Sequence, residues 1–183
     1  MKKSKLIFFI TDNRMLDMKN KELIKTITFN GLLAALYTIF TIAIAPLSYG
    51  AIQFRFSEVL VLLVFFNKKY AFGLTLGCFL ANLFSPTMAL DILFGTSATL
   101  LACLAMMFCK HLAVAAIFPV LFNAFIIGWE LTYFGEPFWF SCGYVALGEL
   151  GVMVIGYIIF FLLRKRENFW KAIDATQNTD FKF

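Results

Sequence analysis

Gly50-Ala51-Ile52-Gln53-Phe54-Arg55-Phe56-Ser57-Glu58 brings an amide, a guanidinium and a carboxylate together directly before the apolar run Val59 to Phe66. Asn82, Asp91, Asn123, Glu130 and Glu149 also lie in or beside apolar stretches. Such groups hold a polar heterocycle well: carboxylates accept from ring N–H or amine donors, and a guanidinium or amide meets a carbonyl. Glu149 stands inside the last apolar run, between Gly148 and Gly151. An ionisable group near a bilayer centre costs roughly 2.5–3.5 kcal/mol on insertion scales, so it needs a partner, a proton or a ligand.

Helical spacing groups these residues. Ser141, Val145 and Glu149 share one stripe, Asn123 and Glu130 another, and Asp91, Gly95 and Thr99 a third. Each has a plainer alternative. Asn123 could bond another helix rather than a ligand. Asp91 could serve the first turn of its helix, and solvation alone could explain Glu130. Arg55 is either a ligand contact or the counter-ion of Glu58. Trp129, Tyr133, Trp139 and Tyr144 read first as an interfacial aromatic belt.

Catalytic signatures are missing: the sequence has no HExxH, GxSxG or Walker A pattern. The single histidine, His111, follows Lys110, and the four cysteines (Cys78, Cys103, Cys109, Cys142) lie in apolar runs and read as packing residues. No metal site, disulfide framework or cofactor is expected.

The elements that must position these groups are membrane helices. The 183 residues are 61% hydrophobic and only 15% charged, with a mean hydropathy of +0.83, which excludes an ordinary soluble domain. The pattern predicts helices over Leu23 to Ala45, Ser57 to Phe66, Tyr70 to Phe84, Leu90 to Cys109, Leu112 to Leu131 (kinked by Pro119) and Phe138 to Leu163. Ten residues reach only about 15 Å, roughly half the hydrocarbon thickness. The second helix therefore either extends back into residues 52 to 57 or dips without fully spanning.

Every Lys and Arg except Arg55 falls at one side of this arrangement, leaving Glu58, Asp91, Glu130, Glu136 and Glu149 towards the other. The asymmetry predicts an all-α membrane protein, a six-transmembrane-helix bundle with both termini cytoplasmic. Residues 1–22 form a cytoplasmic segment, to which the first 17 contribute little structure. Residues 23–164 form the membrane domain, and 165–183 a polar cytoplasmic tail, disordered beyond Asp174. The acidic outer side favours a cationic or donor-rich ligand. The basic residues flank spans, with no basic stripe carrying interleaved aromatics, so nucleic acid is not an expected partner. Gly31-x-x-x-Ala35 and the adjacent Ala34 let another helix approach closely, within this chain or from a partner.

These residues also carry a resemblance. Ala34-Ala35-Leu36-Tyr37, the run Ala45 to Glu58, Gly77 to Leu83, Asp91 to Gly95, Phe122-Asn123-Ala124 and Tyr144 to Glu149 resemble, in order, the QueT family of energy-coupling-factor (ECF) transporter substrate-binding (S) components. The likeness covers roughly residues 25 to 163. It implies an S-component-like six-helix bundle in the bacterial plasma membrane that binds a micronutrient from outside. It also implies association with a transmembrane coupling subunit and two cytoplasmic ATPases, which hydrolyse the ATP. Gly31, Ala34 and Ala35 would face the coupling subunit, with Gly31 departing from the family's usual alanine. The implied ligand is a queuosine precursor, a deazaguanine base such as aminomethyl-deazaguanine. Under this reading Gln53, Arg55, Glu58, Asn82, Asp91, Asn123, Glu130 and Glu149 form the substrate site. An S component for another heterocycle, pyridoxine-like or pyrimidine, and a membrane assembly protein without a ligand remain the alternatives.

Overall fold

The computed structural model describes residues 2–48 and 54–173, with side chains from Met18 onward. Gln53 and the tail beyond Ile173 lie outside the described residues. All described secondary structure is helical: α1 Lys2–Ala43, α2 Ala45–Ser48, a 3-10 segment Phe56–Leu62 running into α3 Leu63–Phe66, a 3-10 turn Lys68–Tyr70, α4 Ala71–Asn82, α5 Met88–Met106, α6 Leu112–Ala115, α7 Ile117–Thr132, α8 Phe138–Leu163 and α9 Glu167–Ala172.

Several boundaries follow from local chemistry. The first helix starts at Lys2 rather than near Leu23, because no Gly or Pro interrupts the chain before Gly31. It ends at Ala43, and Pro46 then sits in the first turn of α2, where its missing N–H is no loss. Pro119 breaks the fifth predicted helix into α6 and α7 at Ala116. A proline ring collides with the carbonyl four residues earlier, here Ala115. Asn67 shapes the polar turn by accepting from the Lys69 N–H at 3.1 Å. The last predicted helix coincides with α8.

Four helical stretches are long and apolar enough to cross a bilayer: Met18–Ala43, Met88–Met106, Leu112–Thr132 and Phe138–Leu163. In packing order α1, α4, α5, α7 and α8 stand side by side, and Phe56–Leu62 packs against both α8 and α1. The short second helix is thus an interior element. Its Val61, Leu62, Val64 and Phe66 are fully buried. Enclosure explains why it can be 3-10 and carry polar side chains. Irregular backbone at membrane depth is tolerated where protein, not lipid, surrounds it.

Close approach of α1 and α4 depends on glycine. A Cβ at Gly77 would lie 2.8 Å from Tyr37 Cβ and 2.9 Å from the Ala34 carbonyl oxygen. Thr38 Oγ1 donates to the Gly77 carbonyl at 3.1 Å across the same seam. Replacing Gly77 by Val is expected to lower the thermal unfolding midpoint in detergent, since overpacking costs about 1–3 kcal/mol. Gly143→Ala, which meets open space, should leave the midpoint unchanged or raise it.

Candidate functional site

The start of the 3-10 segment carries Arg55 and Glu58 into the bundle, where they are 3% and 0% exposed. A hydrogen bond from the Phe54 N–H to the Leu47 carbonyl (2.9 Å) ties the chain on either side of residues 49–53, and Glu58 N–H donates to the Arg55 carbonyl at 2.9 Å. Glu58 Oε1 accepts from the Tyr37 hydroxyl, by a very short hydrogen bond, and from Thr99 Oγ1 at 3.2 Å. One carboxylate oxygen thereby links α1, the interior segment and α5. Beside it, Thr41 Oγ1 and Ser57 Oγ are 2.6 Å apart.

A second layer lies where α4 ends and α5 begins. Asn82 Nδ2 donates to the Asp91 carbonyl at 2.8 Å and to Thr96 Oγ1 at 3.3 Å. Asp91 Oδ2 accepts from the hydroxyls of Ser85 and Thr87, which fastens the turn between the two helices. This is the first-turn role open to Asp91 from the sequence. Cys78 is more than apolar filling: Thr99 Oγ1 (3.3 Å) and Asn82 Nδ2 (3.5 Å) donate to its sulfur, with Arg55 Nη1 at 3.8 Å. Gly95 makes room for this group, because a Cβ there would stand 2.9 Å from Asn82 Nδ2 and 3.6 Å from Arg55 Nη1.

The third layer comes from α7 and α8. Asn123, Glu130 and Glu149 are all buried, so solvation does not account for Glu130. The Asn123 side chain faces Glu149, which also lies within electrostatic reach of Glu58 and Arg55. Glu130 feels both Asp91 and Arg55, and Arg55 in turn feels Glu58 and Asp91. One guanidinium thus lies within electrostatic reach of four carboxylates, from the interior segment, α5, α7 and α8.

Seven of the eight expected site residues therefore converge at one end of the bundle, opposite Lys68, Lys69, Lys110 and Arg164. The eighth, Gln53, lies outside the described residues. Polar capacity remains unused there. Glu58 Oε2, Asn82 Oδ1, Asn123 Nδ2, Glu130 Oε2 and Glu149 Oε2 are buried without a hydrogen-bond partner among the described residues. Buried polar atoms are nearly always paired, so this set of four acceptors and one donor suits a donor-rich polar ligand. Phe54 reaches α8 beside it, 3.3 Å from where a Gly151 Cβ would stand. Trp129, Tyr133, Trp139 and Tyr144 stay exposed, as an interfacial belt would.

Tyr37, Cys78, Thr99, Ser85 and Thr87 complete the cluster. The equal spacing of Asp91, Gly95 and Thr99 is the signal that reached Thr99, while the remaining partners come from other elements. At the small-residue patch, Gly31 and Ala35 are exposed on α1, whereas Ala34 is buried against Gly77. Tyr37→Phe removes a donor from a buried carboxylate and is expected to cost about 1–3 kcal/mol of stability. Thermal unfolding of the ligand-free protein measures it, with Tyr133→Phe, an exposed tyrosine, as the unaffected control.

Comparison with known proteins identifies a family. The family model described as QueT transporter matches residues 27–165, from α1 through the end of α8. A curated relative, the "Queuosine precursor transporter QueT" of Lactococcus lactis subsp. cremoris (strain MG1363), is 37% identical over 152 residues, covering 74% of this chain and 89% of the relative. No solved structure matches significantly. The apolar helices and these two matches make the chain a multi-pass membrane protein, and it belongs to the QueT transporter family.

Proposed function

We propose that this protein is the substrate-binding subunit of an ECF-type importer in the bacterial plasma membrane, and that it takes up a queuosine precursor, a deazaguanine base such as aminomethyl-deazaguanine. The observation that carries the reading is the buried cluster in which Arg55 lies within electrostatic reach of Glu58, Asp91, Glu130 and Glu149, with four acceptor oxygens that have no hydrogen-bond partner among the described residues. A deazaguanine presents a row of N–H donors for carboxylates, and its aminomethyl form adds a cation to an acidic pocket. The name printed for the Lactococcus relative points to the same ligand class.

In this reading Glu149 accepts from the donor edge of the base and Asn123 orients it. Asp91 and Asn82 hold the α4–α5 turn against the site, and Glu130 adds negative potential. Arg55 and Glu58 act as a latch that steadies the first loop, with Gln53 as its direct contact. Six helices cross or enter the membrane, counting Phe56–Phe66 and α4 as the short pair. Both termini face the cytoplasm, a reading supported by the distribution of Lys and Arg. Exposed Gly31 and Ala35 give the transmembrane coupling subunit a surface for close approach. Two cytoplasmic ATPases supply the energy, and the chain itself performs no catalysis.

Titration of the purified protein with aminomethyl-deazaguanine, followed by calorimetry, tests the site. Wild type should bind, and Glu149→Gln should weaken binding by at least about tenfold, the loss of a charge-assisted hydrogen bond being worth roughly 1.5–3 kcal/mol. Tighter binding of a pyridoxine-like or pyrimidine ligand would reassign the substrate. Stabilisation by none of these ligands would favour a membrane assembly protein. A second measurement addresses the partner. Gly31→Leu should leave ligand affinity within about twofold yet abolish co-purification with the coupling subunit and ATPases, because bulk at a small-residue seam separates the helices.

A further inference from the structure

A groove of about 380 Å³ runs along the bundle between α1 and α8. Its floor is the interior segment, through Val59, Leu60 and Leu63, and its walls include Leu32 and Leu36 of α1 and Ile159 of α8. The lining exposes no polar surface, and Leu32, which lines it, is 53% exposed. Nothing in the substrate cluster reaches it. The volume falls within the range of roughly 300–1,000 Å³ typical of small-molecule sites.

One end of the groove is chemically distinct. Leu163, Phe169 and Ile173 line that end. The exposed run Arg164, Lys165 and Arg166 follows Leu163 directly. The chain then folds back: the Tyr70 hydroxyl donates to the Ile173 carbonyl at 2.7 Å, and Trp170 rests on Phe66 with ring centroids 4.7 Å apart. Trp170 Nε1 donates to the Arg164 carbonyl at 3.1 Å, and the Arg164 guanidinium lies 3.8 Å from the Phe161 ring centroid. Glu167, the acidic residue of this turn, pairs with Lys171 at 3.5 Å. The basic run is therefore held beside the apolar groove by a folded turn, with the local carboxylate already engaged by another lysine.

We infer that this groove is a binding site for an anionic phospholipid, with one acyl chain along α1 and α8 and the headgroup phosphate on Arg164, Lys165 and Arg166. Charge complementarity selects the occupant. A zwitterionic lipid would fill the groove equally well but gains little from three adjacent cations, whereas each basic residue near an anionic headgroup is worth about 1 kcal/mol. A basic pocket between helices at the membrane surface is a fitting geometry for such headgroups.

The test uses the full chain in detergent, titrated with phosphatidylglycerol or phosphatidylcholine of identical acyl chains. Bound lipid is counted by native mass spectrometry, and the unfolding midpoint is followed in parallel. Wild type should retain phosphatidylglycerol at least about fivefold more tightly, the equivalent of one such contact. The triple variant R164Q/K165Q/R166Q should lose that preference while still binding either lipid weakly. L32W/L36W, which fills the groove and keeps the charges, should lose both lipids. Inorganic phosphate should not raise the midpoint. Equal affinity of wild type for the two lipids, needing no variant at all, overturns the inference. So does an unchanged preference in the triple variant, undiminished lipid binding in L32W/L36W, stabilisation by phosphate alone, or a dimeric mass showing that a second copy covers the groove.

Discussion

A single buried guanidinium organises the polar interior. Removing an ion from water costs several kcal/mol even after relaxation, and Arg55 is almost wholly enclosed. It is tolerable because four carboxylates lie within its field. One positive charge offsets only one of them, and Glu58 and Asp91 also depend on hydroxyl donors from Tyr37, Thr99, Ser85 and Thr87. The obligation is mutual, and it reaches across the interior segment, α5, α7 and α8. Tyr37 extends it to α1 through Glu58. Helices that lipid alone would leave free to drift acquire a common reference point. In a bilayer the hydrophobic effect does not press one helix on another, so packing and interhelical hydrogen bonds must do so.

That requirement is met differently at the two seams of α1. Along α4 the contact is steric: Gly77 admits Tyr37 and Ala34, and Gly73 offers its N–H to Asn30 Oδ1 at 2.6 Å. Along the interior segment it is polar, through Glu58, Ser57 and their hydroxyl partners. The polar seam sits where a ligand would be recognised, and the steric seam extends away from it. Tyr37 belongs to both seams, its Cβ packing on Gly77 and its hydroxyl bonding Glu58.

Much of this was legible in the sequence, and what escaped has a physical reason. Apolar length and breakers located α8 and the break near Pro119, because those depend on local backbone chemistry. Polar groups at depth announced Glu149, Asn123 and Arg55, since a bilayer penalises them wherever the helices go. The start of α1 is not legible in this way, because polarity suggests a loose segment although no Gly or Pro before Gly31 stops the helix. The 3-10 form of Phe56–Leu62 depends on enclosure by α1 and α8, which hydropathy does not encode. Tyr37 and Cys78 look like ordinary membrane residues in sequence. Their polar partners, Glu58 and Thr99, come from distant parts of the chain, and only folding makes them neighbours.

The buried second helix has a mechanical consequence. Seven 3-10 residues followed by four α-helical ones make a rod of roughly 20 Å. At one tip are Arg55 and Glu58, and at the other Phe66, wedged between Phe160 and Trp170. A close-packed interior has low compressibility and transmits strain, so the rod can slide or turn but has little freedom to shorten. The polar tip and the aromatic tip thus belong to one close-packed strut that joins the two faces of the bundle.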